Sequence, residues 1–245
     1  MHGEVGAAYR TVLISDLHLG SYRCDAEAVL AFLESHRAGT LYLVGDIIDF
    51  WSFRRHSTWR GAHLAVLRRL IEMARTGTRV VIIPGNHDGP LEHLAALGLE
   101  GIEVRDEAVL RTARGARFLV THGHRQDPVF GSTHELIALC CRIGEALQLG
   151  RWRRAVRPTQ AESRFELALV GAARRAGTDG VICGHSHLPA DRIIGGVRYL
   201  NCGDWVESCT AIAEHPDGRF EILTWADDKQ DTLAPSPATL NQRAA

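Results

Sequence analysis

Apolar and polar positions follow two different rhythms along the first half of the chain. Short apolar runs, typical of buried strands, lie at residues 11–14, 41–44 and 80–83. Between them, two sets of apolar residues recur at the spacing of one helical face: Ala26, Val29, Leu30 and Leu33, and then Leu64, Leu67, Leu70 and Ile71. Strands that alternate with helices indicate right-handed crossovers and a largely parallel sheet.

The second half contains many short strand-like segments. They lie at residues 102–105, 109–111, 118–121, 181–183, 192–194, 197–200, 211–213 and 220–224, and Gly or Asp-Gly turns separate several of them. This pattern predicts mixed or antiparallel sheet. Helical periodicity returns at roughly residues 132–149 and 161–175. We therefore predict an α/β protein with one domain over residues 1–228, a helical cap insertion at about residues 126–176, and a polar tail at residues 229–245.

Composition narrows the class of protein. The 245 residues are 45% hydrophobic and 23% charged with a net charge of -1, which is enough for one sizeable core. Near-neutral charge disfavours a general nucleic-acid binder, for which a basic face is expected. The start, MHGEVGAAYR, lacks the apolar stretch of a secretory signal, and no window approaches the ~18 apolar residues of a spanning helix. We predict a cytoplasmic protein, at most peripheral on the inner membrane.

Cysteine and histidine usage indicates different roles for the two residue types. The six cysteines form no CxxC pair and several lie in apolar runs, so we predict buried, reduced thiols. Many of the 13 histidines fall in short clusters beside glycine and aspartate. The histidines are therefore the richer signal.

The strongest polar clusters lie at the carboxyl ends of predicted strands. The segments LISDLHLG, LVGDIIDFW, IPGNHD, VTHGH and ICGHSH supply Asp16 and His18, Asp46 and Asp49, Asn86, His87 and Asp88, His122 and His124, and His185 and His187. Open α/β sheets build their binding sites at this edge. We expect the five clusters to converge there.

The residue types in these clusters are those of a divalent-metal site. Carboxylate, imidazole and amide oxygen together suit manganese, iron, cobalt or zinc. Asp46 has two oxygens and could bridge two ions roughly 3.5–4 Å apart, an arrangement that produces a hydroxide near neutral pH. Adjacent glycines let the backbone turn sharply around metals: Gly45, Gly85, Gly123 and Gly184.

Each cluster taken alone has an ordinary structural explanation. Asp16 and His18 could form a strand-end turn, the GNHD segment a tight turn, and the GHSH histidines a hydrogen-bond network. The order DxH, GD, GNHD, H and GHxH makes independent coincidence the weaker explanation. The sequence therefore favours one metal site assembled from five places.

That order of motifs resembles the calcineurin-like metallophosphoesterase superfamily over about residues 10–225. The resemblance implies a four-layer α/β/β/α sandwich. It also implies two metal positions bridged by Asp46, with these ligands: Asp16, His18 and His187 at one, and Asn86, His122 and His185 at the other. His87 matches the position that protonates or stabilises the leaving group in many members, and Asp88 would orient its ring.

A narrower resemblance rests on GDIIDFW, the helical insertion, GHSHLP and YLNCGDWVES. Together these segments resemble the UDP-2,3-diacylglucosamine diphosphatase group of lipid A synthesis, in its LpxH-like branch. The resemblance implies that a metal-bound hydroxide attacks the α-phosphorus of a UDP-sugar lipid, giving UMP and 2,3-diacylglucosamine 1-phosphate. It further implies two divalent ions, Mn²⁺ foremost with Fe²⁺, Co²⁺ or Zn²⁺ as alternatives, and a cap that receives the acyl chains.

His87 departs from the narrower group, whose best-known members carry arginine there. Arginine can fix a phosphate by two hydrogen bonds but cannot donate a proton at neutral pH, whereas histidine can. The difference leaves two hypotheses open: diphosphate hydrolysis with altered leaving-group assistance, or a phosphodiesterase or phosphomonoesterase that acts on a soluble nucleotide or phosphoprotein. A non-catalytic scaffold of the same fold would have lost metal ligands, and all seven are present.

The predicted cap combines an apolar surface with an arginine cluster. Its apolar residues are Leu136, Ile137, Leu139, Cys140, Ile143, Leu147 and Leu149, and beside them lie Arg142, Arg151, Trp152, Arg153, Arg154 and Arg157. Such a surface could rest on an anionic leaflet. Alternatively, the helices pack on each other with solvated arginines, which the composition favours because Lys229 is the only lysine.

The remaining candidates concern substrate contacts and supporting residues. We predict substrate contacts from Trp51, Asn86, His87, Arg142 and Arg157, with a UDP-sugar lipid as the partner and neither nucleic acid nor an obligate protein partner. Asp49 and Trp51 could line the substrate entrance, although Trp51 could equally close the core. His124 could support the ligands or lie in an exposed loop. Structural or solvated roles are expected of His56, His63, His93 and His134, and support of the metal histidines from behind is expected of Asn201, Gly203 and Asp204.

Overall fold

Two mixed β-sheets hold the strands of the described part of the chain. The computed structural model describes residues 8–50, 59, 61–89, 91, 101–127 and 163–225. The first sheet has the order β11-β10-β1-β2-β3-β4 and the second the order β5-β6-β7-β9-β8. The strands are β1 (Ala8–Ile14), β2 (Arg37–Val44), β3 (Arg79–Ile83), β4 (Ile102–Val104), β5 (Ala108–Arg111), β6 (Arg117–Val120), β7 (Gly180–Cys183), β8 (Ala190–Ile194), β9 (Val197–Asn201), β10 (Thr210–Glu214) and β11 (Phe220–Thr224).

Strand direction changes within each sheet as the sequence pattern indicated. In the first sheet, β1, β2, β3 and β4 run parallel, and β10 and β11 add antiparallel pairs. In the second sheet, β6, β7 and β9 are parallel, and β5 and β8 pair antiparallel at the edges. The parallel strands therefore place their carboxyl ends at shared edges, where the polar clusters follow.

Three α-helices are described, and side chains cap two of them. They are α1 (Ala26–Ser35), α2 (Gly61–Arg75) and α3 (Arg164–Arg175). Asp25 accepts a hydrogen bond from the Ala28 backbone N–H at the start of α1. At the start of α3, Ser163 and Glu166 form a reciprocal capping box. A short 3₁₀ turn, His124–Gln126, follows β6.

The alternation of side chains along the strands produces three hydrophobic layers. Residues such as Leu13 and Val44 of the first sheet pack between the sheets against Val120 and Leu200 of the second. The opposite face of the first sheet packs on α1 and α2. The opposite face of the second sheet packs on α3, for example through Leu169. The arrangement is the predicted α/β/β/α sandwich.

The buried face of α2 differs from the predicted one. The structure buries His63, Val66, Leu70, Met73 and Ala74, whereas Leu64 and Ile71 are 46% and 49% exposed. Both sets satisfy helical spacing, so tertiary contacts decide between them. His63 Nδ1 accepts a 2.7 Å hydrogen bond from the Gly20 backbone N–H, which turns this side of the helix inward. His63 is thus a structural histidine.

The predicted domain limits, cap and tail fall largely outside the described residues. Residues 128–162, which include the helix predicted at residues 132–149, and residues 226–245 lie outside the described part of the chain. The last helix of the predicted cap stretch, α3, packs on the second sheet through Val170 and Ala173. In the described ranges, no helix combines the length and apolar character needed to cross a bilayer.

Candidate metal centre

Backbone hydrogen bonds join the loops that follow the central strands. The Asp16 N–H donates to the Gly45 carbonyl at 2.9 Å, and the His18 N–H donates to the Asp46 carbonyl at 2.9 Å. In the second sheet, the Gly184 N–H donates to the His122 carbonyl at 3.2 Å. These bonds fix the first residues of neighbouring clusters against each other.

Predicted metal ligands adopt a backbone conformation that is rare for residues with a side chain. Six non-glycine residues of the described chain have positive φ, and five of them are predicted ligands: Asp16 (54°), His18 (49°), Asp46 (54°), His185 (68°) and His187 (58°). Left-handed conformations in non-glycine residues cost of order 1–3 kcal/mol each and concentrate at functional sites. The fold maintains this strain at the edge where the polar clusters meet.

Three glycines leave the space in which the ligand side chains lie. A Cβ at Gly85 would lie 2.2 Å from Asp46 Oδ1, and one at Gly45 would lie 2.2 Å from His122 Nδ1. A Cβ at Gly184 would lie 2.5 Å from Asp16 Oδ2. These glycines therefore serve close packing around the site, which is a stricter requirement than the sharp turns expected from the sequence.

Side chains from distant parts of the chain meet in three overlapping clusters. Within each cluster the potential ligand atoms all lie within 4.8 Å of one another: Asp16, His18 and His187; Asp16, Asp46 and His122; and His18, Asp49 and His87. Asp46 Oδ2 is central, at 3.5 Å from His122 Nε2, 3.8 Å from His18 Nε2 and 3.9 Å from His87 Nε2. This central position is the one that a bridging carboxylate requires.

His185 and Asn86 border the same region. The ring centroid of His185 lies 5.3 Å from that of His122, and its Nε2 lies 3.0 Å from Asp127 Oδ2. The side-chain oxygen of Asn86 is buried. All the predicted ligands therefore lie on described elements, and the structure groups five of them in the clusters given above.

The site passes a test for cation binding that uses buried polar atoms. Four buried atoms of predicted ligands have no hydrogen-bond partner among the described residues: Asp16 Oδ1, His18 Nε2, Asn86 Oδ1 and His122 Nε2. Asp16 Oδ1 does lie 3.1 Å from His187 Nε2, an ion-pair distance without hydrogen-bond alignment. Unsatisfied buried polar atoms cost ~1–3 kcal/mol each, and a divalent cation would satisfy them. The mixed oxygen and nitrogen donors suit manganese, iron, cobalt or zinc.

Electrostatic coupling holds the two central carboxylates ionised. Burial would raise the pKa of Asp46, but His122 and its neighbours lower it well below the usual value. Burial and His187 compete in the same way at Asp16, whose pKa is also lowered. Burial lowers the pKa of His18 to about 4, whereas at His122 the attraction of Asp46 outweighs burial and raises the pKa to about 10. Because a histidine must lose its proton to bind a metal, a cation at His122 would compete with the proton that Asp46 favours.

Asp49, and not Asp88, orients the ring of His87. Asp49 Oδ1 lies 3.2 Å from His87 Nδ1. Burial would lower the pKa of His87, but this contact raises it above the usual value. The predicted role of Asp88 is wrong because its carboxylate accepts backbone N–H bonds from Ile47, Ile48 and Gly85 at 2.7–2.8 Å. Asp88 ties two loops of the site together, and burial raises its pKa to about 6.

Supporting residues lie behind the GHSH histidines. Asn201 donates to the Gly184 carbonyl at 2.9 Å and accepts from the Gly203 N–H at 2.9 Å. Asp204 Oδ2 lies 3.8 Å from His187 Nδ1. The sequence analysis missed Asp127, although its place five residues after His122 in HGHRQD was a usable signal.

Other predicted residues have varied placements. His124 is partly buried beside His122, with ring centroids 5.5 Å apart, and burial lowers its pKa to about 4. Several predicted residues lie outside the described part: Trp51, His56, His93, His134, Arg142 and Arg157. The described cysteines are free, with Cys183 and Cys202 buried and Cys24 and Cys209 partly buried.

Comparisons with known proteins give a consistent picture. A model of the calcineurin-like phosphoesterase superfamily domain matches residues 10–215. A UDP-2,3-diacylglucosamine hydrolase of Xanthomonas campestris pv. campestris (strain B100) is 29% identical and aligns over 85% of this chain and 96% of its own length. A UDP-2,3-diacylglucosamine hydrolase of Nitrosococcus oceani is 26% identical, over 85% of this chain and 92% of its own length. The structure of Yfce, a phosphoesterase from E. coli, superposes with a TM-score of 0.50 at 17% identity, over 89% of this chain and 93% of that one, which shows a shared fold.

Proposed function

The chain belongs to the calcineurin-like phosphoesterase superfamily, and on that premise we propose that it hydrolyses the diphosphate of UDP-2,3-diacylglucosamine to UMP and 2,3-diacylglucosamine 1-phosphate. Membership makes it a hydrolase of phosphoesters. The observation that carries the finer proposal is the end-to-end similarity to the UDP-2,3-diacylglucosamine hydrolases, which covers 92–96% of their length. The clustered carboxylates and histidines support the same reaction class.

Seven residues would hold two divalent ions at the site. We assign Asp16, His18 and His187 to one ion, Asn86, His122 and His185 to the other, and Asp46 to both; the central position of Asp46 Oδ2 supports its shared role. Bound there, the ions would activate a water molecule and neutralise charge on the phosphoryl group. Mn²⁺ is the first candidate, and Fe²⁺, Co²⁺ and Zn²⁺ fit the same donors.

His87 has the chemistry of the residue that assists the leaving group. Its Nδ1 contacts Asp49, so Nε2 is the nitrogen turned toward the centre, 3.9 Å from Asp46 Oδ2. The contact with Asp49 raises the pKa of His87 against the effect of burial, which favours the form that carries a proton on both ring nitrogens. We propose that His87 Nε2 gives its proton to the departing sugar phosphate. Asp49 holds the ring in the required orientation.

The His87–Asp49 pair also favours a second candidate function. A histidine poised to donate a proton suits alkoxide leaving groups, which need protonation more than phosphate leaving groups do. The second candidate is therefore a phosphodiesterase or phosphomonoesterase of soluble nucleotides or phosphoproteins. A non-catalytic scaffold fits poorly, because the predicted ligands are all present and four of them carry buried, unsatisfied donor atoms.

We propose that the lipid portion of the substrate is received by the cap. Trp51, Arg142 and Arg157 remain proposed substrate contacts on the sequence argument alone. We also propose cytoplasmic localisation; an approach to the membrane surface would use the arginine-bordered apolar surface of the cap.

A substrate panel tests the proposal. Purified protein is incubated with Mn²⁺ and UDP-2,3-diacylglucosamine, and UMP release is followed by mass spectrometry. Parallel reactions contain a cyclic nucleotide, bis(p-nitrophenyl) phosphate and p-nitrophenyl phosphate, and Asp46→Ala is the inactive control. UMP release that depends on Mn²⁺ and Asp46 supports the lipid assignment. Turnover confined to the soluble esters would replace it with the second candidate.

A further inference from the structure

Asp204 is a buried carboxylate behind the metal site. It lies in the loop that leads from β9 in the second sheet to β10 in the first, and it is 1% exposed. Its Oδ1 accepts from the backbone N–H groups of Val206, Glu207 and Ser208. Its Oδ2 accepts from Ser208 Oγ at 3.2 Å and faces His187 Nδ1 at 3.8 Å. One oxygen therefore organises the loop, and the other is directed at a proposed metal ligand.

The charge of Asp204 has one ionic counterpart among the described residues. That counterpart is the imidazole of His187. A buried carboxylate is costly unless charged or hydrogen-bonding groups compensate it. The backbone N–H groups compensate Oδ1, and Ser208 Oγ together with a proton on His187 Nδ1 would compensate Oδ2. The electrostatic field of Asp204 therefore favours the form of His187 that carries its proton on Nδ1.

That form is the one that metal binding through Nε2 requires. His187 Nε2 lies 3.1 Å from Asp16 Oδ1, on the side of the proposed ions. A neutral imidazole has a proton on only one nitrogen, so a proton on Nδ1 leaves Nε2 free as a ligand. The neighbouring His185 repeats the arrangement with the nitrogens exchanged, because its Nε2 contacts Asp127 at 3.0 Å.

We propose that Asp204 is a positioning residue that favours the Nδ1–H tautomer of His187 and so presents Nε2 to the metal. The side chain of His187 is 34% exposed, so close packing alone does not hold the ring. Outer carboxylates of this kind orient ligand histidines and typically change metal affinity by about 10- to 100-fold when removed. The inference rests on the proposed metal-dependent function and adds a residue to it.

The variant Asp204→Asn separates the effect of Asp204 on His187 from its hydrogen bonds to the loop backbone. The amide oxygen can keep the backbone bonds of Oδ1, while the amide nitrogen replaces Oδ2 and presents a donor to His187 Nδ1. The matched control is Glu207→Gln, a charge-neutralising change in the same loop at a side chain that pairs with Arg23 on the surface at 3.4 Å. The tautomer of His187 is read by long-range ¹H–¹⁵N NMR of the metal-free proteins at a pH where the ring is neutral. Mn²⁺ affinity is measured by calorimetry, and unfolding of the metal-free proteins by denaturant.

The expected result is a change of tautomer together with weaker metal binding. In the metal-free protein Asp16, 3.1 Å from Nε2, competes with Asp204 for the proton of His187, so the comparison is relative. Wild type and Glu207→Gln should contain the same fraction of the Nδ1–H form, and Asp204→Asn should contain less of it and bind Mn²⁺ about 10- to 100-fold more weakly. Its unfolding midpoint should match that of the control. An unchanged tautomer, or Mn²⁺ affinity within twofold of wild type, overturns the inference. If wild type binds no divalent ion, the proposed function fails, and the tautomer shift by itself then supports or overturns the role of Asp204.

Discussion

At the residue scale, the site depends on how little space surrounds its ligands. Asp16, Asp46 and His185 adopt left-handed backbone conformations, and glycines lie against the side chains of Asp46, His122 and Asp16. Strained backbone and missing Cβ atoms have the same effect, because both let the candidate ligand atoms of separate loops approach within a few ångströms. The glycines of the VGD, GNHD and GHSH segments therefore help to set the geometry of the candidate ligands.

Gly85→Ala tests this dependence. The added Cβ would lie 2.2 Å from Asp46 Oδ1 and 2.4 Å from the Asp46 backbone nitrogen, so the Asp46 loop must move. We expect loss of metal binding and an unfolding free energy lowered by about 1–3 kcal/mol, as for overpacking elsewhere. Gly61→Ala is the matched control, since a Cβ there meets no atom within 4 Å. Wild-type Mn²⁺ affinity in Gly85→Ala would show that the Asp46 loop accommodates the added Cβ, which would contradict this prediction.

His87→Ala tests the assignment of the proton donor. We expect kcat to fall by ~10²–10⁴ because acid catalysis is lost, while bound Mn²⁺ measured by atomic emission stays at the wild-type level. The loss should be much smaller with p-nitrophenyl esters, whose leaving group needs no protonation. His215→Ala, at a histidine that pairs with Glu221 near the β10–β11 turn, is the control for removal of an imidazole. Loss of metal from His87→Ala would identify His87 as a ligand instead.

The sequence indicated which residues lie at the candidate site, but not which of their side chains contact each other. The candidate ligands follow strands in the structure, as the motif order predicted, because each strand end is a local feature. The partner of His87 was not local: the adjacent Asp88 turns its carboxylate to the backbone of residues 47, 48 and 85, and Asp49 reaches His87 from another loop. Proximity in sequence does not determine which carboxylate faces an imidazole once loops from different strands interleave.

At the element scale, strands were easier to predict than the orientation of a helix. Each described strand contains or overlaps an apolar run predicted from the sequence, and β2 begins earlier than expected because its first residues, 37–40, are exposed or partly exposed. Periodicity located α2 but not its buried face, since Leu64 and Val66 begin two competing apolar stripes. The contact between His63 and Gly20 selects the second stripe. This hydrogen bond joins residues that are 43 positions apart, and a local sequence pattern cannot indicate such a contact.

Two leucines of α2 provide a test of that face. Leu70 is 5% exposed and Leu64 is 46% exposed. We expect Leu70→Ala to lower the free energy of unfolding by about 2–5 kcal/mol, as is usual for large-to-small core substitutions. Leu64→Ala should change it by no more than ~0.5 kcal/mol. Urea denaturation followed by circular dichroism measures both, and equal losses would mean that the two stripes are buried together.

At the scale of the whole molecule, the proposed ions would join the two sheets. Asp16, Asp46 and Asn86 follow strands of the first sheet, whereas His122, His185 and His187 follow strands of the second. The loop from β9 to β10 links the same sheets and carries Asp204 behind His187. The sandwich therefore brings together ligands that are far apart in sequence, and this convergence depends on the packing between the sheets rather than on any single motif.

Metal binding should consequently stabilise the whole fold. An ion that binds the native state alone adds about 2.7 kcal/mol when its free concentration is 100 times the dissociation constant. We expect Mn²⁺ to raise the thermal unfolding midpoint of the chelator-treated protein, with one cooperative transition because both sheets share the ligands. Calorimetry of wild type and Asp46→Ala, each with and without Mn²⁺, measures the effect. The variant should show no shift, since it lacks the carboxylate central to both proposed positions; an equal shift in the two proteins would mean that Mn²⁺ binds elsewhere.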